Sequence, residues 1–183
     1  MERLNDSLKE YYTRHNQGVK YSLRKLALVN LIQNFVDRKD RVIDLGCGDG
    51  FISNCVAEYV KAVVGIDRVV NKMVMPSPKV YFTKCDIVKD EFTTKDIEVV
   101  LLLDVLEHIE EKDEEAFLDK VVSLFTKRLI VNIPVHQDKK QPFDRKVDIW
   151  KVMNHLSKSL RLIYFQEIYM SDNEIYQFMV FEK

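Results

Sequence analysis

The stretch VIDLGCGDG, Val42 to Gly50, constrains this chain more than any other. Its apolar opening reads as a buried strand, and Gly46, Gly48 and Gly50 read as a turn that feeds a helix. Strand, Gly-x-Gly-x-Gly and helix in that order set bare backbone amides and a helix N-terminus against a ligand. Glycine is needed there because a Cβ would clash with the ligand or forbid the turn. An acid, Asp44, stands two residues before the first glycine. Two nucleotide-type ligands fit such a pattern, and the rest of the chain has to decide between them.

The periodicity around this motif gives the architecture. The first 37 residues read as helical, with an apolar stripe through Tyr21, Leu23, Leu26, Leu28, Val29, Leu31, Ile32 and Phe35 and a break at Gly18. Strands are predicted at Val42–Leu45, Ala62–Ile66, Val80–Thr83, Val99–Leu103 and Leu129–Ile133, and helices at Phe51–Tyr59, Glu111–Leu124 and Val147–Leu160. Pro76 and Pro78 break the stretch before the third strand. The uninterrupted run Val99–Leu103 belongs to a parallel strand buried on both faces. Leu162–Tyr169 and Ile175–Glu182, separated by Ser-Asp-Asn, suit an antiparallel hairpin. The expectation is an α/β fold, a doubly wound, mostly parallel seven-stranded sheet closed by a C-terminal antiparallel hairpin. Ligands then bind at the carboxyl ends of the strands.

Composition narrows the classes of function. With 183 residues, 46% apolar and a net charge of -1, the chain fits one domain of ordinary globular character. No segment approaches the roughly 20 apolar residues of a membrane span, so no membrane partner is expected. The start MERLNDSLKEYY has no apolar h-region. Cys47, Cys55 and Cys85 form no CxxC pair, and reduced thiols in a cytoplasmic protein are the simplest reading. Charge is uneven: Asp104 to Asp119 holds eight acids against one lysine, and Lys139 to Arg161 seven Lys/Arg against two Asp. Each run reads first as a solvated face, with the basic one also able to meet an anionic substrate. The near-zero total counts against a general nucleic-acid footprint.

Four acids follow the carboxyl ends of successive strands: Asp44, Asp67, Asp86 and Asp104. Any one of them alone reads as a cap or turn former. Asp67 lies 23 residues after Asp44, close to where ribose-binding carboxylates fall. Asp86 is placed to accept from an adenine amino group, with Ile87 packing on the ring, and Asp104 to face the middle of the ligand. A dinucleotide fits poorly. Its fingerprint needs a third small residue where Phe51 stands, and its pyrophosphate would not welcome Asp44. The absence of a GxxxxGK[ST] loop removes nucleotide triphosphatase chemistry. A ligand with an amino group and a sulfonium matches an acid-lined cleft better.

VIDLGCGDG, VVGID, KCDI and LLLDVLEHIE resemble, in order and spacing, the motifs of class I S-adenosylmethionine-dependent methyltransferases. The resemblance covers roughly Arg41 to Ile133, and NEIYQFMVFEK is similar to that family's closing strands. It implies a Rossmann-like methyltransferase fold with S-adenosylmethionine as cofactor. It further implies that Gly46, Cys47 and Gly48 bind the methionine moiety and that Asp44 supports its amino group indirectly. Asp67, with Arg68 beside it, would take the ribose hydroxyls, Asp86 and Ile87 the adenine, and Asp104 and Val105 would line the cleft. On this reading residues 1–183 form a single methyltransferase domain. Residues 1–37 supply N-terminal helices and a candidate lid, and residues 41–183 the cofactor-binding core.

Methyl transfer from a sulfonium is a direct displacement, so the protein mainly supplies alignment and a water-poor cleft. A hydroxyl acceptor also needs a base or a metal. His108, in the DVLEHI box, and His136, in VNIPVH, are the candidate catalytic residues at the carboxyl edge. The alternatives are helix-start packing or cofactor contact for His108, and a loop histidine with no role for His136. Asp104, Glu107, His108 and His136 also resemble the metal-binding ExxEH-plus-His pattern of small-RNA 2′-O-methyltransferases. Asp104 replaces that pattern's first Glu, however, and its paired-histidine motif is absent, so no metal ligand is assigned.

Tyr11, Tyr12 and His15 could fold over the cofactor or simply pack the first helix. Trp150 reads as core or as a cleft aromatic, and Lys139, Lys140 and Phe143 lie in the loop expected to recognise the substrate. No asparagine-proline-proline-aromatic motif follows strand four, which counts against amino methylation of bases. The expected activity is transfer of a methyl group to an oxygen or nitrogen of a small molecule. Methylation of an RNA end or a protein, and a non-catalytic scaffold or partner subunit, are the alternatives. Sequence leaves the oligomeric state open.

Overall fold

A computed structural model describes residues 19–69, 77–92, 94–136, 145–171 and 174–183, with side chains for all of these except 19–23, His136, Met170 and Ser171. The chain runs α1 (Val19–Ile32), β1 (Arg41–Leu45), α2 (Phe51–Val56), β2 (Ala62–Asp67), β3 (Val80–Lys84) and β4 (Val99–Leu103). A 3₁₀ turn (Leu106–His108) follows, then α3 (Glu111–Ser123), β5 (Arg128–His136), α4 (Ile149–Leu156), β6 (Arg161–Ser171) and β7 (Glu174–Glu182). Tyr11, Tyr12, His15, Gly18, Pro76, Lys139, Lys140 and Phe143 lie outside the described residues.

The seven strands form one sheet in the order β3-β2-β1-β4-β5-β7-β6. Strands β1 to β5 are mutually parallel, and β7 pairs antiparallel with both β5 and β6. β1 therefore has β2 on one side and β4 on the other, and the winding direction reverses between β1 and β4. Ligands of open α/β sheets bind outside the strand ends at such a switch point. Register brings those ends level: Leu45 pairs with Ile66 and Leu102, Asp67 with Lys84, and Leu103 with Asn132.

Alternation along each strand feeds two cores. Ile43, Leu45, Val100 and Leu102 meet Phe117, Leu118 and Val121 of α3 and Val152 and Leu156 of α4. Val42, Val99, Leu101 and Leu103 meet Leu28 and Ile32 of α1 and Val56 of α2 on the opposite face. All five residues of β4 are buried, as a central strand covered on both faces requires. α1 is thus part of the second core as well as a neighbour of the site.

The helices are shorter than their apolar stripes suggest, and capping explains why. Asn34 Nδ2 donates to the carbonyls of Asn30 and Leu31, at 2.9 and 3.3 Å, and ends α1 at Ile32 instead of near residue 37. Asp148 accepts from the Lys151 amide at 3.1 Å and starts α4 at Ile149 instead of Val147. Among the described residues no helix is long and apolar enough to cross a membrane.

Candidate active site

All three glycines of the turn after β1 are left-handed, with φ of 73° at Gly46, 55° at Gly48 and 65° at Gly50. A Cβ on Gly46 would lie 2.6 Å from Cγ2 of Val105, so the turn and the loop after β4 close on each other there. A Cβ on Gly48 would meet nothing within 4 Å among the described residues, which leave that point of the turn open. The amides, expected to be bare, are not. Gly46 and Cys47 both donate to the carbonyl of Ile66, at 2.8 and 3.1 Å, and Gly48 donates to Asp67 Oδ2 at 2.9 Å. The turn is tied to β2, and among the described residues Gly48 is its open point.

The strand-end acids play distinct parts. Asp67 Oδ1 accepts from the Val69 amide at 2.9 Å, so two amides orient its carboxylate at the sheet's edge, with Arg68 exposed beside it. Asp86 Oδ1 accepts from the amides of Val88 and Lys89, at 3.0 and 3.2 Å, and caps a local turn. Burial acts to raise the Asp86 pKa, but those two amides and the charges of Lys89 and Arg68 hold it below the usual carboxylate range. Ile87 is buried in the first core.

Asp44 is 3% exposed, and its Oδ2 accepts from Ser53 Oγ of α2 at 2.5 Å. Burial raises its pKa to about 7, against the opposing pull of the Ser53 hydroxyl and the Lys25 ammonium; Asp49 and Asp67 add to the rise. The Cys47 thiol is pushed up by burial and by Asp44, and burial takes Cys55 up to about 12. These thiols stay protonated at neutral pH and are not nucleophiles.

Asp104 differs most from its expected role. It adopts φ 55°, and both of its oxygens are engaged inside the protein. Asn132 Nδ2 donates to Oδ1 at 2.6 Å, and the Arg24 guanidinium of α1 lies 2.7 Å from Oδ2. Arg24 also stacks 4.8 Å from the ring centroid of Tyr176, a buried residue of β7. Val105 is buried against the turn. Beyond it Glu107 is buried whereas His108 is exposed, so these neighbours face different surroundings. Among the described residues no group of three His, Cys, Asp or Glu is placed to hold a metal ion. His136 pairs with Ile175 in the sheet; its side chain is outside the description.

Several members of the site escaped the sequence reading. Lys25, 6% exposed, sits among the apolar residues of α1 and holds Asp49 through both carboxylate oxygens, at 2.8 and 2.7 Å. Asn132 is fully buried, and its signal was a polar residue inside the apolar run LIVNIP. Arg145 donates from Nε to the Ile109 carbonyl at 2.5 Å and pairs with the buried carboxylate of Glu114, while its amide bonds Glu107 O at 3.0 Å. It fastens the segment before α4 to the turn that carries His108. Trp150, expected more often in the core, is 73% exposed on α4.

A glycine turn at the β1/β4 switch, strand-end acids and the strand order 3-2-1-4-5-7-6 together define a Rossmann-like methyltransferase fold. The methyltransferase-domain family matches residues 14–168, and the chain belongs to that family. Among solved structures it is similar to the N-methyltransferase NodS of Bradyrhizobium japonicum WM9 in complex with S-adenosyl-L-homocysteine, with a TM-score of 0.72 and 16% identity over 97% of each chain. Magnesium protoporphyrin IX methyltransferase of Synechocystis PCC 6803 with bound SAM gives a TM-score of 0.69 and 18% identity over 90% of this chain and 80% of that one. The 1,6-didemethyltoxoflavin-N1-methyltransferase of Burkholderia thailandensis gives 0.66 and 15% over 100% and 86%. No curated protein sequence matches the chain.

Proposed function

We propose that this S-adenosylmethionine-dependent methyltransferase moves its methyl group to an oxygen or nitrogen of a small molecule. The observation that carries the donor assignment is the open space over Gly48, flanked by the oriented carboxylate of Asp67 and the buried Asp44. These residues fit the donor chemically. Asp67 offers acceptors for ribose hydroxyls, Asp86 and Ile87 a polar and an apolar contact for adenine, and the buried Asp44 supports the amino group of the donor indirectly, from beneath the turn. Gly46, Cys47, Arg68, Asp104 and Val105 complete the wall around them. A small acceptor is favoured by the similar enzymes, a 1,6-didemethyltoxoflavin-N1-methyltransferase and a magnesium protoporphyrin IX methyltransferase.

When bound, S-adenosylmethionine supplies a methyl group already activated on a sulfonium. The protein's task is then to align the acceptor and keep water out. The Gly46–Val105 contact and the Arg24–Asp104 pair close the floor of the cleft at the sheet's edge. His108, exposed at the end of the 3₁₀ turn, is the first candidate base for a hydroxyl or ammonium acceptor, with His136 on β5 as the second. The free cysteines Cys47, Cys55 and Cys85 fit a cytoplasmic setting.

The test is calorimetric titration with S-adenosylmethionine and S-adenosylhomocysteine, followed by release of S-adenosylhomocysteine from panels of small hydroxyl and amine acceptors. Micromolar binding and turnover with a small acceptor are expected. Turnover restricted to RNA ends or protein would move the acceptor to the alternative class. Failure to bind either compound would overturn the reading.

A further inference from the structure

We propose that Lys25, supplied by the N-terminal helix, is a positioning residue of the cofactor turn: it fixes Asp49 between Gly48 and Gly50 and is a cation that balances the acids there, the buried Asp44 among them. The inference rests on the S-adenosylmethionine reading of the turn. It starts from the position of Asp49, which lies between two left-handed glycines and anchors the turn through its own side chain. Its Oδ1 accepts from the Phe51 amide at 3.1 Å and so covers the first turn of α2. Both of its oxygens are also held by Lys25 Nζ, which lies 5.6 Å from the Phe51 ring centroid.

A lysine is withdrawn from water at considerable cost unless it is paired. The Lys25 side chain is 8% exposed, and it pairs with an acid of the glycine turn, outside α1. Its charge reaches further. The groups acting on Asp44 are Ser53 from α2, Lys25 from α1, Asp49 from the turn and Asp67 from the end of β2. Two of these four, Asp49 and Asp67, are carboxylates, so with Asp44 itself three acids would act on one another without this cation if the lysine were lost. Removing it therefore loosens the turn and makes Asp44 harder to ionise. Gly48, whose amide contacts Asp67, is the point through which both effects reach the ligand.

A lysine that merely docked α1 would change stability alone. A positioning residue also changes how ligand affinity depends on pH. S-adenosylhomocysteine affinity of the full chain is measured by calorimetry from pH 5.5 to about 8.5, a range spanning the ordinary histidine and shifted-carboxylate region. In the wild type, affinity rises as Asp44 ionises near pH 7. Lys25→Met is expected to weaken binding at pH 7 about tenfold or more, the loss of one charge-assisted contact, and to move the midpoint upward; Lys25→Arg restores both. Asp49→Asn keeps the acceptor for the Phe51 amide while deleting the charge, and serves if Lys25→Met folds poorly. Its loss should not add to that of Lys25→Met in the double variant. Wild-type affinity and midpoint in Lys25→Met, or additive losses in the double variant, would overturn the proposal. If the wild type itself binds no S-adenosylhomocysteine, the cofactor reading fails and this proposal fails with it.

Discussion

Arg24 of α1 sets its guanidinium 2.7 Å from Oδ2 of Asp104, the acid that ends β4 in a left-handed conformation. Asn132 holds the other oxygen, so an element of each core and the central strand meet at one carboxylate. Left-handed backbone is tolerated by Asp and Asn far better than by a β-branched residue. Asp104→Asn should therefore cost about 1–2 kcal/mol through the lost ion pair. Asp104→Val should cost about 2 kcal/mol more through added backbone strain. Denaturant midpoints of the two variants check the order. Equal losses would show that the left-handed backbone contributes nothing to the difference.

The two glycines at the head of the turn separate folding from binding. Gly46→Ala meets Val105 Cγ2 at 2.6 Å and is strained at φ 73°, so it should lose about 2–4 kcal/mol of stability, partly recovered by adding Val105→Ala. Gly48→Ala meets nothing within 4 Å among the described residues and should cost only about 1 kcal/mol, from its left-handed backbone. Its Cβ would instead fill the space assigned to the ligand. S-adenosylhomocysteine affinity should fall by about tenfold or more, the scale of one lost favourable contact. Thermal melts and calorimetry on the same preparations distinguish the two effects.

What the sequence displayed and what it concealed divide along a physical line. The strand, turn and helix pattern around Gly46 to Gly50 is local, because residue periodicity and glycine placement act over a few positions. So the β1 turn, the apolar β4 and the closing hairpin were all legible. Arg24–Asp104 and Lys25–Asp49 were not, since each pairing exists only after α1 folds onto the second core. The direction of the turn amides was equally hidden. Whether Gly46 N–H meets a ligand or the Ile66 carbonyl depends on where β2 ends relative to β1. Asn132 stood between these cases: its polarity inside an apolar strand was visible, its partner was not.

Asp67 carries the sharpest single test of the cofactor site. Its carboxylate is oriented by the amides of Gly48 and Val69 and is assigned to the ribose hydroxyls. Asp67→Ala should lower S-adenosylhomocysteine affinity at least tenfold, because a hydrogen bond to a charged acceptor contributes roughly 1.5–3 kcal/mol. Asp67→Asn keeps an oxygen for the Gly48 amide and should lose less. Unchanged affinity in Asp67→Ala would remove the ribose assignment while leaving the fold untouched.

Asp44 makes stability depend on pH in the sense opposite to most carboxylates. Burial raises its folded pKa to about 7, above the ordinary value of 3.8 it regains on unfolding. Between those values the folded chain keeps a proton that the unfolded chain has released, so stability falls as pH climbs from about 4 through about 7. Each unit of separation corresponds to about 1.4 kcal/mol. Asp44→Asn retains an acceptor for Ser53 Oγ and cannot ionise. Relative to wild type it should be more stable at pH 8 than at pH 5, whatever other groups titrate in common. Urea midpoints of both proteins at the two pH values give the difference directly. A gap between variant and wild type that does not change with pH would mean that Asp44 is ionised throughout, held so by Lys25 and Ser53.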